Sequence, residues 1–136
     1  MIDTLVEFFS RAEGHELKKL FEQTLNCVVI HTMQKNQINS EARSIKNTRQ
    51  FLSKLSQRIP KMFKNFLNYH LRLYEHESYL LRNAASDILF NILKQMKEEG
   101  EDRSRINFIN ILMQRIYDKS SFCRWHVLEI LNQLSL

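Results

Sequence analysis

The chain contains few of the residues that build turns. Glycine occurs twice and proline once among its 136 residues, far below the ~7% and ~5% of average proteins. This scarcity argues against a β-sandwich and against a βαβ fold with glycine-rich loops. No apolar run reaches the ~18 residues of a membrane span, and Asp3 stands where a secretory signal carries basic residues. The sequence therefore predicts one soluble, intracellular, helical domain.

Signatures of catalysis and metal binding are missing too. The chain has no G-x-x-x-x-G-K-[ST] phosphate loop, and its five histidines form no H-E-x-x-H motif. Cys27 and Cys123 lie far apart in apolar stretches, which predicts reduced core thiols. His70 lies on an apolar helical face, where we expect a core residue, and the pair Cys123 and His126 lacks a third catalytic partner. We predict no catalytic residue, no metal site and no cofactor.

Apolar residues recur at helical spacing along most of the chain, which predicts an all-α fold. Residues 1–39 form a predicted N-terminal helical segment, with a short helix at 3–9 and a longer one at 15–35. Residues 40–136 are predicted to hold five helices with short turns, at about 41–59, 61–75, 79–98, 104–117 and 121–135.

Basic residues are concentrated in one part of the chain. Residues 35–72 contain nine lysines and arginines and one acidic residue, Glu41. At helical spacing many of them lie opposite the apolar stripes, and long cationic side chains suit phosphate oxygens without reading base edges. They predict nonspecific contact with double-stranded DNA, although a basic face that only keeps the protein soluble is the competing interpretation. The candidates are Lys46, Arg49, Lys54, Arg58, Lys61, Lys64 and Arg72.

The second half of the chain repeats itself with a period of 42 residues. Equivalent pairs include Phe66 and Phe108, Asn68 and Asn110, Ser78 and Ser120, Arg82 and Arg124, Ile88 and Ile130, and Leu89 and Leu131. Two helices per period of this length are typical of HEAT or armadillo arrays, in which each helix pair packs against its neighbours. Asp118 precedes Arg124 by six residues, as in the Asp and Arg ladders of HEAT arrays, whereas His76 stands at the equivalent position before Arg82.

Three segments in order resemble one HEAT-repeat family. They are FLSKLSQRIP (51–60), ESYLLRNA (77–84) and YDKSSFCRWHVLEIL (117–131), and together they resemble condensin complex subunit 1 over about 48–135. The resemblance implies a regulatory subunit without chemistry of its own, with SMC ATPase and kleisin subunits as partners, on chromosomes in the nucleus, although the cytoplasm is also possible. The family's chains are many times longer, so a fragment, a split gene product and a reduced relative all stay open.

Two functional hypotheses follow. The preferred one is a condensin-like HEAT module that acts in mitotic chromosome condensation and contacts DNA through the basic face. The alternative is a HEAT or armadillo scaffold outside chromosome biology whose basic face binds an acidic protein segment. In either case Phe122 and Trp125, at the start of the last helix, are predicted to pack against a further repeat or to anchor a partner.

Overall fold

The described part of the chain is helical. The computed structural model describes residues 19–27 and 41–135, together with Thr4 and Glu7, and none of these residues lies in a strand. The predicted all-α fold is thereby confirmed. Residues 19–27, Thr4 and Glu7 are helical, and the rest of the predicted segment 1–39 lies outside the described residues.

Six α-helices and two 3₁₀ segments follow within residues 41–135. They are α1 (Glu41–Arg58), α2 (Pro60–Asn65), α3 (Leu67–His70), the 3₁₀ segment Leu71–Glu75, α4 (Tyr79–Glu98), α5 (Asp102–Met113), the 3₁₀ segment Gln114–Tyr117 and α6 (Ser121–Leu134). Pro60 stands in the first turn of α2, where its missing N–H costs nothing. The hydroxyls of Ser78 and Ser120 accept hydrogen bonds from the amides of Leu80 and Phe122, the second residues of α4 and α6. Gly100, with φ +74°, ends α4 in the left-handed conformation that glycine tolerates.

The single helix expected over 61–75 is wrong, because the chain leaves helical geometry at Phe66. Phe66 has φ −121° and ψ 38°, and its N–H donates to the carbonyl of Phe63 at 3.1 Å. The His70 ring nitrogen Nε2 bonds to the same carbonyl at 2.9 Å. The interruption is accompanied by aromatic packing, since the rings of Phe63 and Phe66 both contact Phe21, at 5.1 and 5.6 Å between centroids.

Three helices, α1, α4 and α6, lie side by side and run in the same direction. Arg49 on α1 reaches Asp87 on α4, and four residues further along Asn91 reaches the carbonyl of Ser53. The thiol of Cys123 on α6 lies 3.6 Å from the Tyr79 carbonyl of α4, and further along both helices His126 lies 2.6 Å from Asp87. The chain returns between these helices through 60–75 and 102–117, which pack against them. This arrangement of helical hairpins is compatible with a HEAT-type solenoid.

Two consecutive helical hairpins, residues 60–98 and residues 102–134, share an apolar core centred on α4. Leu89 and Leu93 of α4 form one buried cluster with Leu112, Val127 and Ile130 of the second hairpin. The sequence repeat predicts that Leu89 and Leu131 occupy equivalent buried positions, and here the prediction is wrong for Leu131. Leu131 packs against this cluster but is only half-buried.

Burial of His70 predicts a pH dependence of stability. Burial lowers the pKa of His70 to about 4, against the opposing hydrogen bond to the Phe63 carbonyl, whereas an unfolded histidine titrates near 6.5. Between these values the unfolded chain binds a proton that the folded chain does not bind, so stability falls as pH falls. The loss attributable to His70 reaches about 3 kcal/mol near pH 4. Urea unfolding across this window measures it, and His70→Gln should remove this part of the slope. Parallel pH profiles for the wild type and the variant would contradict the assignment.

Candidate nucleic-acid interface

Three of the predicted DNA-binding side chains lie exposed along α1. Lys46, Lys54 and Arg58 follow one another at intervals of eight and four residues, which places them on one side of the helix. None of them contacts a carboxylate among the described residues. Lys46 and Lys54 border a shallow groove of about 490 Å³. This surface therefore offers cations that no carboxylate among the described side chains neutralises.

Three other candidates are held in ion pairs within the fold. Arg49 Nε lies 3.2 Å from Asp87 Oδ2, Lys61 Nζ lies 2.6 Å from Glu99 Oε1, and Lys64 pairs with Glu101. The hydrogen bond and charge of Glu99 raise the pKa of Lys61, and the same hydrogen bond lowers the pKa of Glu99. The acidic turn after α4 thus lies against α2, where it neutralises part of the predicted basic face.

The basic side predicted along 61–75 is not continuous. Lys61 and Lys64 lie on α2, whereas Arg72 follows the interruption at Phe66 and lies on a 3₁₀ segment. Lys61, Lys64 and Arg72 would share one side only on an uninterrupted helix with 3.6 residues per turn, and the interruption at Phe66 removes that condition. Arg72 is exposed and has no carboxylate partner among the described residues.

A second groove, of about 270 Å³, crosses the layer of parallel helices and was not predicted. Its lining includes Lys94, His126 and Glu129. Asp87 lies between the two grooves and bridges Arg49 to His126, whose Nε2 is 2.6 Å from Asp87 Oδ1. Lys94 is exposed, four residues after Phe90 and 5.2 Å from its ring centroid. Its position beside the apolar stripe of α4 was the sequence signal that could have identified it.

Arg82 and Asp118 join the two hairpins through a buried, two-pronged ion pair. Arg82 Nε donates to Asp118 Oδ2 at 2.9 Å and Nη2 donates to Oδ1 at 3.0 Å, with both side chains at most 5% exposed. Burial raises the pKa of Asp118, but the hydrogen bonds from Arg82 and from the Ser120 amide outweigh it, so the pKa lies below its ordinary value. Burial lowers the pKa of Arg82, but the hydrogen bonds that Arg82 donates to Asp118 and the charge of Asp118 outweigh this effect, so the pKa is raised.

The two hairpins repeat the surroundings of this pair. Arg82 Nη1 donates to the carbonyl of His76 at 2.9 Å, and Arg124 Nη1 donates to the carbonyl of Asp118 at 2.7 Å. His76 stands where the repeat predicts an aspartate, and its Nδ1 accepts from the Ser78 amide at 2.9 Å. Asp118 Oδ1 accepts from the Ser120 amide in the same way at 2.8 Å. The histidine therefore reproduces the local turn but supplies no carboxylate.

Comparison with known proteins points to one family. The chain is 24% identical over 102 residues to condensin complex subunit 1 of Xenopus laevis, which covers 71% of the chain. It is 28% identical over 116 residues to condensin complex subunit 1 of Schizosaccharomyces pombe, which covers 79% of the chain. The chain is similar to condensin complex subunit 1. The resemblance predicted from the three motifs is thus confirmed.

The similarity is limited to one part of the relatives. The chain spans about 8% of the length of the Xenopus protein and 10% of that of the yeast protein. No protein-family model and no solved structure matches the chain. The similarity to condensin complex subunit 1 is thus a similarity of sequence. The contact between the hairpins is a separate structural observation, made by the buried pair of Arg82 and Asp118.

The condensin-like chain carries a row of exposed apolar side chains on α6. Phe122 is 63% exposed and Trp125 is 66% exposed. Phe122 stacks on Tyr79 at 4.9 Å, and Trp125 Nε1 donates to Glu129 at 2.9 Å. Both side chains nevertheless stay more than half exposed, so they are available for the packing or partner contact that the sequence predicts.

The described residues contain no group of three side chains suited to hold a metal ion. No helix among them is long and apolar enough to cross a membrane. Cys123 is buried, and burial raises the pKa of its thiol, which disfavours the reactive thiolate. The prediction of a core thiol is wrong for Cys27, which is exposed because it lies off the helical side that buries Phe21 and Leu25.

Proposed function

We propose that the chain is a non-catalytic interaction module of a condensin-like complex that acts in mitotic chromosome condensation. The observation that carries the proposal is the similarity to two condensin complex subunit 1 proteins over 71% and 79% of the chain. In this role the chain binds the SMC ATPase and kleisin subunits of the complex, in the nucleus and on chromosomes. Its hairpins supply surfaces for binding and carry out no chemistry.

The DNA contact in this proposal is made by the exposed side of α1. Lys46, Lys54 and Arg58 are free of carboxylate partners among the described residues, so they release counterions without breaking an internal ion pair. Arg49, Lys61 and Lys64 are already paired, and they contribute less. Lysine and arginine that meet only phosphates give no base readout, so binding is indifferent to DNA sequence.

Removing the three free charges should flatten the salt dependence of DNA binding. Three phosphate contacts contribute a log–log slope of about −2.7, a roughly 40-fold loss of affinity between about 50 and 200 mM salt. We expect Lys46→Gln, Lys54→Gln and Arg58→Gln together to remove this part of the slope. Fluorescence anisotropy with random-sequence duplexes of two base compositions measures it.

The matched control removes the same number of charges from another surface. Lys97, Arg103 and Lys119 are exposed and distant in sequence from α1, and changing them to glutamine should leave the slope close to that of the wild type. Equal DNA affinity and slope for the wild type and the α1 variant would refute DNA contact through this side. If the α1 variant lost binding to an acidic peptide and kept its binding to DNA, the hypothesis of a scaffold that binds an acidic protein segment would replace DNA contact.

A further inference from the structure

The cations nearest in sequence to the exposed side of α1 lie on α2. Arg58 is the last residue of α1, and only Ile59 and Pro60 separate it from Lys61. Lys64 follows Lys61 by three residues, so the two amines share one side of α2. These two lysines are therefore the first cations that could add phosphate contacts to those of α1.

Two carboxylates already occupy these two amines. Lys61 Nζ lies 2.6 Å from Glu99 Oε1, and Lys64 Nζ pairs with Glu101 Oε2. Their mutual hydrogen bond is the main cause that raises the pKa of Lys61 and lowers the pKa of Glu99, so both groups stay charged in the pair. A phosphate that approached either amine would meet a carboxylate, and this contact between like charges disfavours its binding.

The backbone holds both carboxylates in place. They belong to the acidic turn, residues 98–102, which begins at the end of α4. Gly100 has φ +74°, the Glu99 N–H donates to the Gln95 carbonyl at 3.1 Å, and the Glu101 N–H donates to the Met96 carbonyl at 3.0 Å. Met96 is fully buried. The acidic turn is therefore anchored to the core, and its carboxylates are positioned against α2.

We infer that the acidic turn is an autoinhibitory element, in which Glu99 and Glu101 occupy Lys61 and Lys64 and keep DNA phosphates off α2. The inference rests on the proposed DNA contact through α1, because it sets the limit of that surface. Ion pairs at a protein surface contribute little to folding stability, so the carboxylates can be removed while the helices stay intact. Their removal should produce a gain of DNA binding, which a loss of structure would not produce.

Glu99→Gln together with Glu101→Gln releases both lysines without shortening a side chain. Two further phosphate contacts should raise the affinity for duplex DNA at low salt and steepen the log–log salt slope by about 1.8, a further loss of roughly 12-fold between about 50 and 200 mM salt. Fluorescence anisotropy with random-sequence duplexes measures the slope, and circular dichroism measures the helical content.

The matched control is Glu98→Gln together with Glu77→Gln. Both glutamates are exposed and form no ion pair among the described residues, and Glu98 belongs to the same turn. The control makes the same change of net charge as the released variant, but it frees no lysine. Its salt slope should stay close to that of the wild type.

A second control adds Lys61→Gln and Lys64→Gln to the released variant. This variant has the net charge of the wild type, and its slope should return to the wild-type value. Equal slopes for the released variant and the Glu98 control would overturn the inference. A gain that persisted without the two lysines would overturn it as well, because other cations would then make the contacts. A gain that required the lysines but survived the three glutamine substitutions on α1 would support the masking of α2 and refute the contact through α1.

Discussion

Asp118→Asn should destabilise the protein by about 3–5 kcal/mol. The substitution keeps the size of the side chain and its acceptor for the Ser120 amide, but it removes the charge that faces Arg82. Arg82 is 5% exposed at its side chain, so its guanidinium would remain as an uncompensated buried charge. Urea unfolding at neutral pH, followed by circular dichroism, measures the loss.

A double-mutant cycle separates the ion pair from the packing around it. Arg82→Met combined with Asp118→Leu replaces both charges by apolar groups of similar size, and we expect the double variant to be close to the wild type in stability. Arg82→Met alone should be strongly destabilising, because it strands the Asp118 carboxylate. A loss below about 1 kcal/mol for Asp118→Asn would contradict the claim that this pair joins the two hairpins.

Leu89→Ala should cost about 2–5 kcal/mol. Leu89 is fully buried in the cluster that both hairpins share, and the smaller side chain would leave a cavity between α4 and the second hairpin. Thermal and urea unfolding measure the effect. A cost within about 0.5 kcal/mol would place Leu89 at the surface and contradict the packing of the hairpins.

Leu128→Ala is the matched control for the same chemical change. Leu128 lies on α6 and is 47% exposed, so its truncation should change stability by no more than about 0.5 kcal/mol. The difference between the two variants then reports burial between the hairpins and excludes a general effect of losing leucine from a helix.

Helix type and the main repeat could be predicted from the sequence because they depend on local periodicity. The stripe of α4 and the equivalence of Arg82 and Arg124 are readable at fixed spacings. The break at Phe66 could not be read in this way. The break is accompanied by two tertiary contacts, the packing of Phe66 on Phe21 and the hydrogen bond between the His70 ring and the Phe63 carbonyl. Neither contact can be predicted from helical spacing, because both form only in the folded protein.

The basic surface shows the same limit. Sequence counts the charges of Lys61 and Lys64, but their neutralisation depends on Glu99 and Glu101, which lie 37 or 38 residues later. Helical spacing predicts that Lys46, Lys54 and Arg58 share one side of α1. It does not predict the ion pair between Arg49 and Asp87. The ladder arginine and aspartate could be identified by their spacing, but only the fold shows that Asp118 serves Arg82 of the preceding hairpin.

Recovery of condensin subunits with the tagged full-length chain tests the proposed function most directly. The chain is purified from dividing cells of its own organism after nuclease treatment, with untagged cells as the control, and the proteins recovered are quantified by mass spectrometry. The account predicts recovery of SMC ATPase and kleisin subunits in proportion to the chain. Recovery of neither, from a chain that is soluble and helical by circular dichroism, would contradict it.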